Sequence, residues 1–350
     1  MVVEPQSFCW LSGRLVERRD AATWLEELRR LPQLKDLLSD AGMGLCKALQ
    51  TLSAERPELR HGLDVFHLKR EGNKALKRDY GAASKASEQA GAKQAEANKL
   101  RRVGRNSSNQ SRDAAHRWKR AEALLDQAAA SERAWKQVCA ALEWFTPEGR
   151  LNDRRQAEAK IREALRHLQA RAWAKTRRLL ERAETLTFLD RLQERVQALG
   201  FSQETLAALE RLENLRRQPE RSRGESLSAG AARGLALIST VQLARSDPQW
   251  QEKMARFGQV LQTTLRASSW VEGVNSVVRM QQARHRRMTQ GLLDLKRLYW
   301  NMRPFHTGRR KKRSPYEILG LKLPPGTWWE LLNQPLDALR QRLSAQKDGS

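Results

Sequence analysis

Between Leu68 and Arg266 nearly every residue is one that favours a helix, and this stretch limits what the chain can fold into more than any other feature. Ala, Leu, Glu, Arg, Lys and Gln dominate it, and these types lose little side-chain freedom in a helix. An all-α region of several helices is predicted. Its breaks fall at Val103–Ser111, Thr146–Arg150 and Gln218–Gly230, where Gly, Asn, Ser and Pro gather. Asp247 and Pro248 read as the cap and first turn of a further helix. Trp118, Leu125, Trp135, Val138 and Leu142 are expected on one buried helical face. No internal repeat and no sustained heptad emerges from the apolar pattern.

Residues 1–67 read differently. Ser7–Val16 is short, apolar and aromatic and suits a strand, and Met1–Glu4 looks like the tail of another. Ala21–Leu31 is amphipathic at helical spacing. Asp36–Asp40 reads as a short strand ending in an acid. Gly42 and Gly44 turn it into a helix carrying Leu45, Leu49 and Leu52. His61–His67 is a last strand candidate. The order strand, strand, helix, strand, helix, strand marks an α/β unit. After the helical region, Ser269 opens a helix broken near Arg286, and Thr289 caps its continuation. The basic run Arg309, Arg310, Lys311, Lys312, Arg313 follows, then Ser314–Gly320.

The net charge of +25 and pI near 10.8 need anionic partners or solvent. Residues 279–313 hold twelve Lys or Arg against one acid, Asp294. No stretch approaches a membrane span, and the N-terminus lacks the basic and apolar regions of a secretory signal. Nucleic acid is therefore the expected partner. Cys9, Cys46 and Cys139 are odd in number and far apart, without a CxxC pair, which argues against a disulfide framework or zinc site and fits a reducing cytoplasm.

Each acid that stands out has an ordinary reading. Asp40 suits a helix cap, Ser269 and Glu272 a capping box, and His67 a hydrogen-bonded core histidine. Four segments in order change the weighting. Leu38–Leu45 (Leu-Ser-Asp-Ala-Gly-Met-Gly-Leu) resembles the strand and turn bearing the second aspartate of bacterial insertion-sequence DDE transposases. Asp64-Val-Phe-His67 resembles that family's D-x-x-H signature one strand later. Ser268–Gly291 resembles its glutamate-bearing helix, and Tyr299–Phe305, the basic run and Ser314–Gly320 resemble its sequel. The resemblance covers roughly residues 1–75 and 265–335.

It implies a mixed α/β, mostly helical chain: an incomplete ribonuclease H-like α/β core with a large all-α insertion. Residues 1–75 form the first part of the core, 76–265 the helical insertion, 266–305 the glutamate-bearing helix region and 306–350 the basic run and tail. It implies metal-dependent DNA cleavage and strand transfer, with acids converging on two Mg²⁺ or Mn²⁺ ions. Asp40 and Glu272 map to the second and third acids and to metal ligation, with Asp64 and His67 in catalytic support. Asn275, Arg279, Arg284, Arg286, Arg287, Arg309, Arg310, Lys311, Lys312 and Arg313 map to DNA contact. Transposon-end and target DNA are the implied partners, with no membrane; the resemblance admits a homo-oligomer on DNA and a nucleoid-associated place in a bacterial cytoplasm.

One departure matters. The family's first aspartate lies on a strand that would precede Met1, and its N-terminal DNA-reading segment has no counterpart. The expectation is a truncated transposase, inactive alone. A non-catalytic DNA-binding remnant and a helical scaffold are the rival readings.

Overall fold

The computed structural model describes residues 1–221, 227–267, 269–284, 288–308, 310–321 and 329–330. Side chains are described for all of these except 218–221, 227–229, 269–270 and 281–284. The chain is a mixed, mostly helical protein, 69% helix with small sheets. It divides into two compact units: residues 1–60 with 267–350, and residues 61–266.

The first unit opens with β1 (Val2–Val3) and β2 (Trp10–Ser12), paired antiparallel with Val2 opposite Ser12 and Val3 opposite Trp10. The expected strand over Ser7–Val16 is thus reduced to three residues. Phe8 breaks it with a left-handed φ of 63°, and Gly13 follows Ser12. Helix α1 (Ala21–Arg29) is capped by Asp20, whose carboxylate accepts the Thr23 N–H. Strand β3 (Asp36–Ser39) leads into α2 (Met43–Glu55). Gly44 in the first turn of α2 is needed there: a Cβ would stand 2.3 Å from the Arg19 carbonyl oxygen. Strand β4 (Arg60–Leu63), which starts at the last residue of this segment and runs into residues counted with the second unit, pairs with β3, and Arg60 donates its N–H to the Lys35 carbonyl at 2.7 Å. The β1–β2 and β3–β4 pairs are separate two-stranded sheets.

After residue 266 the unit resumes with α11 (Ser269–Arg284), α12 (Gln290–Met302) and the short α13 (Pro315–Ile318). Thr289 caps α12, accepting from Leu292 N–H. Ser314 and Glu317 form a capping box on α13. Two small apolar clusters result. Trp10 packs with Val274, Val278 and Leu293, flanked by Met1, Val3 and Trp300. Leu28, Leu37, Leu49, Leu52 and Leu59 form the other, between α1, β3 and α2.

The second unit is built on α3 (Val65–Arg102) and α4 (Ser108–Ala141), about 57 and 51 Å long at 1.5 Å per residue. Their seam is made of alanine. Ala83, Ala90 and Ala97 on α3 and Ala114, Ala121 and Ala128 on α4 are each seven residues apart and all fully buried. A heptad is therefore present after all. It escapes an apolar-pattern search because its repeating residue is Ala, which there counts only as a helix former; its small side chain lets two backbones approach closely. At the base of the hairpin Gly72 faces the Trp135 ring, which would lie 2.1 Å from a Cβ at that position. Trp135, Val138 and Leu142 are buried as expected, whereas Trp118 and Leu125 are 39% and 51% exposed on the flank of the seam.

Around the base run α5 (Arg154–Leu165), α6 (Ala174–Leu180), α7 (Thr187–Gln197), α8 (Gln203–Arg221), α9 (Leu227–Ser246) and α10 (Trp250–Thr263). Trp144, Phe145, Ile161, Trp173, Phe188 and Phe257 fill this core. The expected break at Gln218–Gly230 falls partly outside the described residues. No helix among the described residues is long and apolar enough to cross a membrane.

Candidate functional site

Asp40 closes β3 on an exposed turn. Its Oδ1 accepts the Gly42 N–H at 3.2 Å, and Ala41 between them takes a left-handed φ of 63°. This is a local Asx turn. The cap of α2 is Gly42, without a side-chain bond, so Asp40 is not spent on capping the helix.

Glu272 stands in the first turn of α11, where a carboxylate is favoured by the helix dipole. At 100° per residue it lies opposite Val274 and Val278, which pack on Trp10. Arg279, seven residues on and exposed, shares that outer face, and half-buried Asn275 lies on its flank. Asp40 and Glu272 belong to the same unit.

Asp64 and His67 are the pair the fold brings directly together. The strand reading of His61–His67 is corrected here: β4 ends at Leu63, and Asp64 is the buried N-cap of α3. Oδ1 accepts the N–H groups of Phe66 and His67 at 2.7 and 3.2 Å, and Oδ2 faces His67 Nδ1 at 2.6 Å. The alternation of Gly62-Leu-Asp-Val-Phe66 mimics a strand, but an acid that satisfies two orphan N–H groups of a long helix fixes the boundary. Glu4, the other nearby acid in the sequence, closes the β1–β2 turn by accepting the N–H groups of Gln6 and Ser7 at 2.9 and 2.7 Å.

The basic stretch divides. Arg310 is drawn into the fold: its guanidinium donates to the Gln6 and Pro5 carbonyls at 2.7 and 3.4 Å and lies over the Phe8 ring at 4.2 Å. Phe305 meets the same ring edge-on at 5.8 Å, and its N–H and carbonyl bond the backbone of Arg313 and Lys312. Lys311, Lys312 and Arg313 are left exposed on this anchored loop. Arg286, Arg287 and Arg309 lie outside the described residues, as does the side chain of Arg284.

No family model, no curated protein and no solved structure matches this chain.

The chemistry within reach follows from the donors. Burial pushes the Cys9 thiol up to about 11, with Glu4 adding to the effect, so it is a protonated core group and not a nucleophile. Among the described residues no group of three or more His, Cys, Asp or Glu side chains is placed to hold a metal ion. A two-ion centre binds through several hard oxygen ligands around ions about 4 Å apart. Asp40 and Glu272 alone do not furnish that set, so the described residues do not by themselves fit a Mg²⁺ or Mn²⁺ pair. Exposed Arg279, on the outer face of α11 with Glu272, and exposed Lys311, Lys312 and Arg313 carry the charge that phosphate contact needs. A further group of mostly exposed cations, between Arg101 and Arg120 around the turn between α3 and α4, escaped notice in the sequence, although its charge, with Asp113 the one acid, is legible there.

Proposed function

We propose that the chain is an incomplete DDE-type transposase that binds DNA and does not cut it alone. The observation that carries this reading is the pair of separate two-stranded sheets. A ribonuclease H-like sheet has a central strand, with one antiparallel pair on one side of it and two further strands on the other. Strands bond only to neighbours about 4.8 Å away. Remove the central strand and two unconnected pairs remain, as β1–β2 and β3–β4 do here.

The edges agree with this. The outer edge of β2 is closed at Trp10 by the Asn301 side chain, so a joining strand would enter on the β1 side. The helical unit between residues 61 and 266 has the character of the family's insertion before its glutamate. In the family the first catalytic aspartate belongs on that central strand, and the described residues hold no such strand, in keeping with their small donor set.

The contact with DNA is assigned to Arg279, Lys311, Lys312 and Arg313. Each phosphate they neutralise releases counterions, so affinity falls as salt rises. The test is titration of a random-sequence duplex at several salt concentrations, with wild type and with R279Q/K311Q/K312Q/R313Q. The reading expects tight binding at low salt and a shallower salt dependence in the variant. Absence of wild-type binding at low salt refutes it and favours a helical scaffold.

A further inference from the structure

We infer that the turn joining α3 and α4 is a second, separate DNA-contact surface, one that grips the phosphate backbone of a duplex without reading its bases. The distribution of charge points to it. Residues 99–120 hold eight Lys or Arg and one acid, Asp113. The remainder of the hairpin, residues 66–98 and 121–141, holds nine Lys or Arg and seven acids. The excess is thus +7 (8 − 1) at the tip and +2 (9 − 7) along the longer remainder.

The tip cations are also uncommitted. Arg101, Arg102, Arg105, Arg112, Lys119 and Arg120 are exposed and make no ion pair among the described residues. Arg117 alone is paired, with Asp113 at 3.0 Å. Farther down the hairpin four of the nine cations are paired, Lys69–Glu143, Lys74–Glu71, Lys93–Glu96 and Lys136–Glu132, so the tip stands out by its excess charge together with its lower share of pairs. Helix-dipole stabilisation accounts for Lys99, Arg101 and Arg102 in the last turn of α3, but not for Arg112, Lys119 and Arg120 in the early turns of α4.

Size decides the mode of contact. Two helices packed about 8 Å apart across an alanine seam are roughly 18–20 Å wide with their side chains. The major groove is about 12 Å wide. The hairpin end is too broad to enter, but it matches a patch of backbone on both sides of a groove. It contacts phosphates, which position a protein and carry no sequence information. The alanine seam has a role in this, since it carries the patch about 50 Å from the hairpin base on a rigid support.

This inference adds a site to the DNA-binding reading, and its test separates the two. In the full chain, R101Q/R102Q/R105Q/R112Q and, independently, K119Q/R120Q are compared with wild type and with R279Q/K311Q/K312Q/R313Q. Folding is checked by circular dichroism, and binding is measured on a labelled random duplex against salt. If four phosphate contacts are lost, the log–log salt slope of the first variant falls by about 3.6 and affinity drops more than tenfold. K119Q/R120Q gives about half that change in slope. Wild-type binding in both tip variants, with loss confined to the 279–313 variant, overturns the inference and leaves the reading intact. Exposed Val103 beside these cations also suits an anionic bilayer, so vesicles of phosphatidylserine and phosphatidylcholine form a second arm. Tip variants that lose vesicle binding yet keep duplex binding overturn the inference as well.

Discussion

Asn301 holds both peptide groups of Trp10. Its Oδ1 accepts the Trp10 N–H at 2.8 Å, and its Nδ2 donates to the Trp10 carbonyl at 3.0 Å. Both residues are buried, and 291 positions of sequence separate them. One amide side chain on α12 thereby replaces a neighbouring strand at the edge of β2 and joins the two ends of the chain into one unit.

Asn301→Ala leaves a buried N–H and a buried carbonyl without partners. Each costs about 1–3 kcal/mol. The expected result is a loss of roughly 2–4 kcal/mol in urea unfolding of the first unit, larger than for Asn301→Asp, which keeps the acceptor. Equal stability in wild type and Asn301→Ala contradicts the role given to this side chain.

Gly72→Ala tests the hairpin base. The new Cβ would meet three atoms of the Trp135 indole at 2.1–2.5 Å, so the ring or the helix must move. Overpacking of this kind costs about 1–3 kcal/mol. The indole also donates to Asn73 Oδ1 at 2.8 Å, which limits its freedom to swing aside. Gly81→Ala, at a helical glycine of α3 with open space around its Cβ, should instead be neutral or stabilising. The melting temperature should fall in Gly72→Ala and hold or rise in Gly81→Ala; a fall of similar size in both contradicts the packing account.

Acid should weaken the second unit in two stages. Burial lowers the pKa of His61 to about 4, against a smaller opposing effect from Glu184. The unfolded chain binds that proton near pH 6.5, so the stability held by neutral His61 is present above 6.5 and is lost as pH falls towards 4. For Glu143 burial is the largest influence and acts upward, but Arg266 at 2.9 Å and Lys69 outweigh it and bring it to about 2. Its contribution is complete above the ordinary glutamate value near 4.5 and is lost from there towards pH 2. Urea midpoints should fall between pH 7 and 5 in wild type and fall less in His61→Gln. An unchanged slope in that variant contradicts the assignment.

The α/β order of the first sixty residues and the capped helices α1 and α12 were legible because they depend on local chemistry. Asp20 and Thr289 cap the helices that follow them, and apolar spacing marks the faces. The strand reading past Leu63 failed where one residue decides the boundary: Asp64 reads equally well as a strand acid until its two N–H partners are placed. The alanine seam was hidden because packing of small residues leaves no hydrophobic stripe. Trp118 and Leu125 were assigned to a core on spacing alone, although such spacing cannot say whether a partner lies opposite. Arg310 was grouped with solvent-facing cations because its hold on the Gln6 carbonyl spans 304 positions of sequence. The order of Asp40, Asp64 and Glu272 along the chain was readable, but their surroundings were not: Asp64 turns out to cap α3, while Asp40 closes a turn.

The central proposal is that DNA cleavage needs a central strand and an acid that the described residues do not hold. The direct measurement is nicking of supercoiled plasmid in Mn²⁺ or Mg²⁺ by this chain, and by a form extended with the residues encoded upstream of Met1. The account predicts no metal-dependent nicking by the chain alone. It predicts nicking by the extended form that disappears in both Asp40→Asn and Glu272→Gln. Nicking by the chain alone that is lost in Glu272→Gln contradicts it, as does an active extended form indifferent to Asp40→Asn.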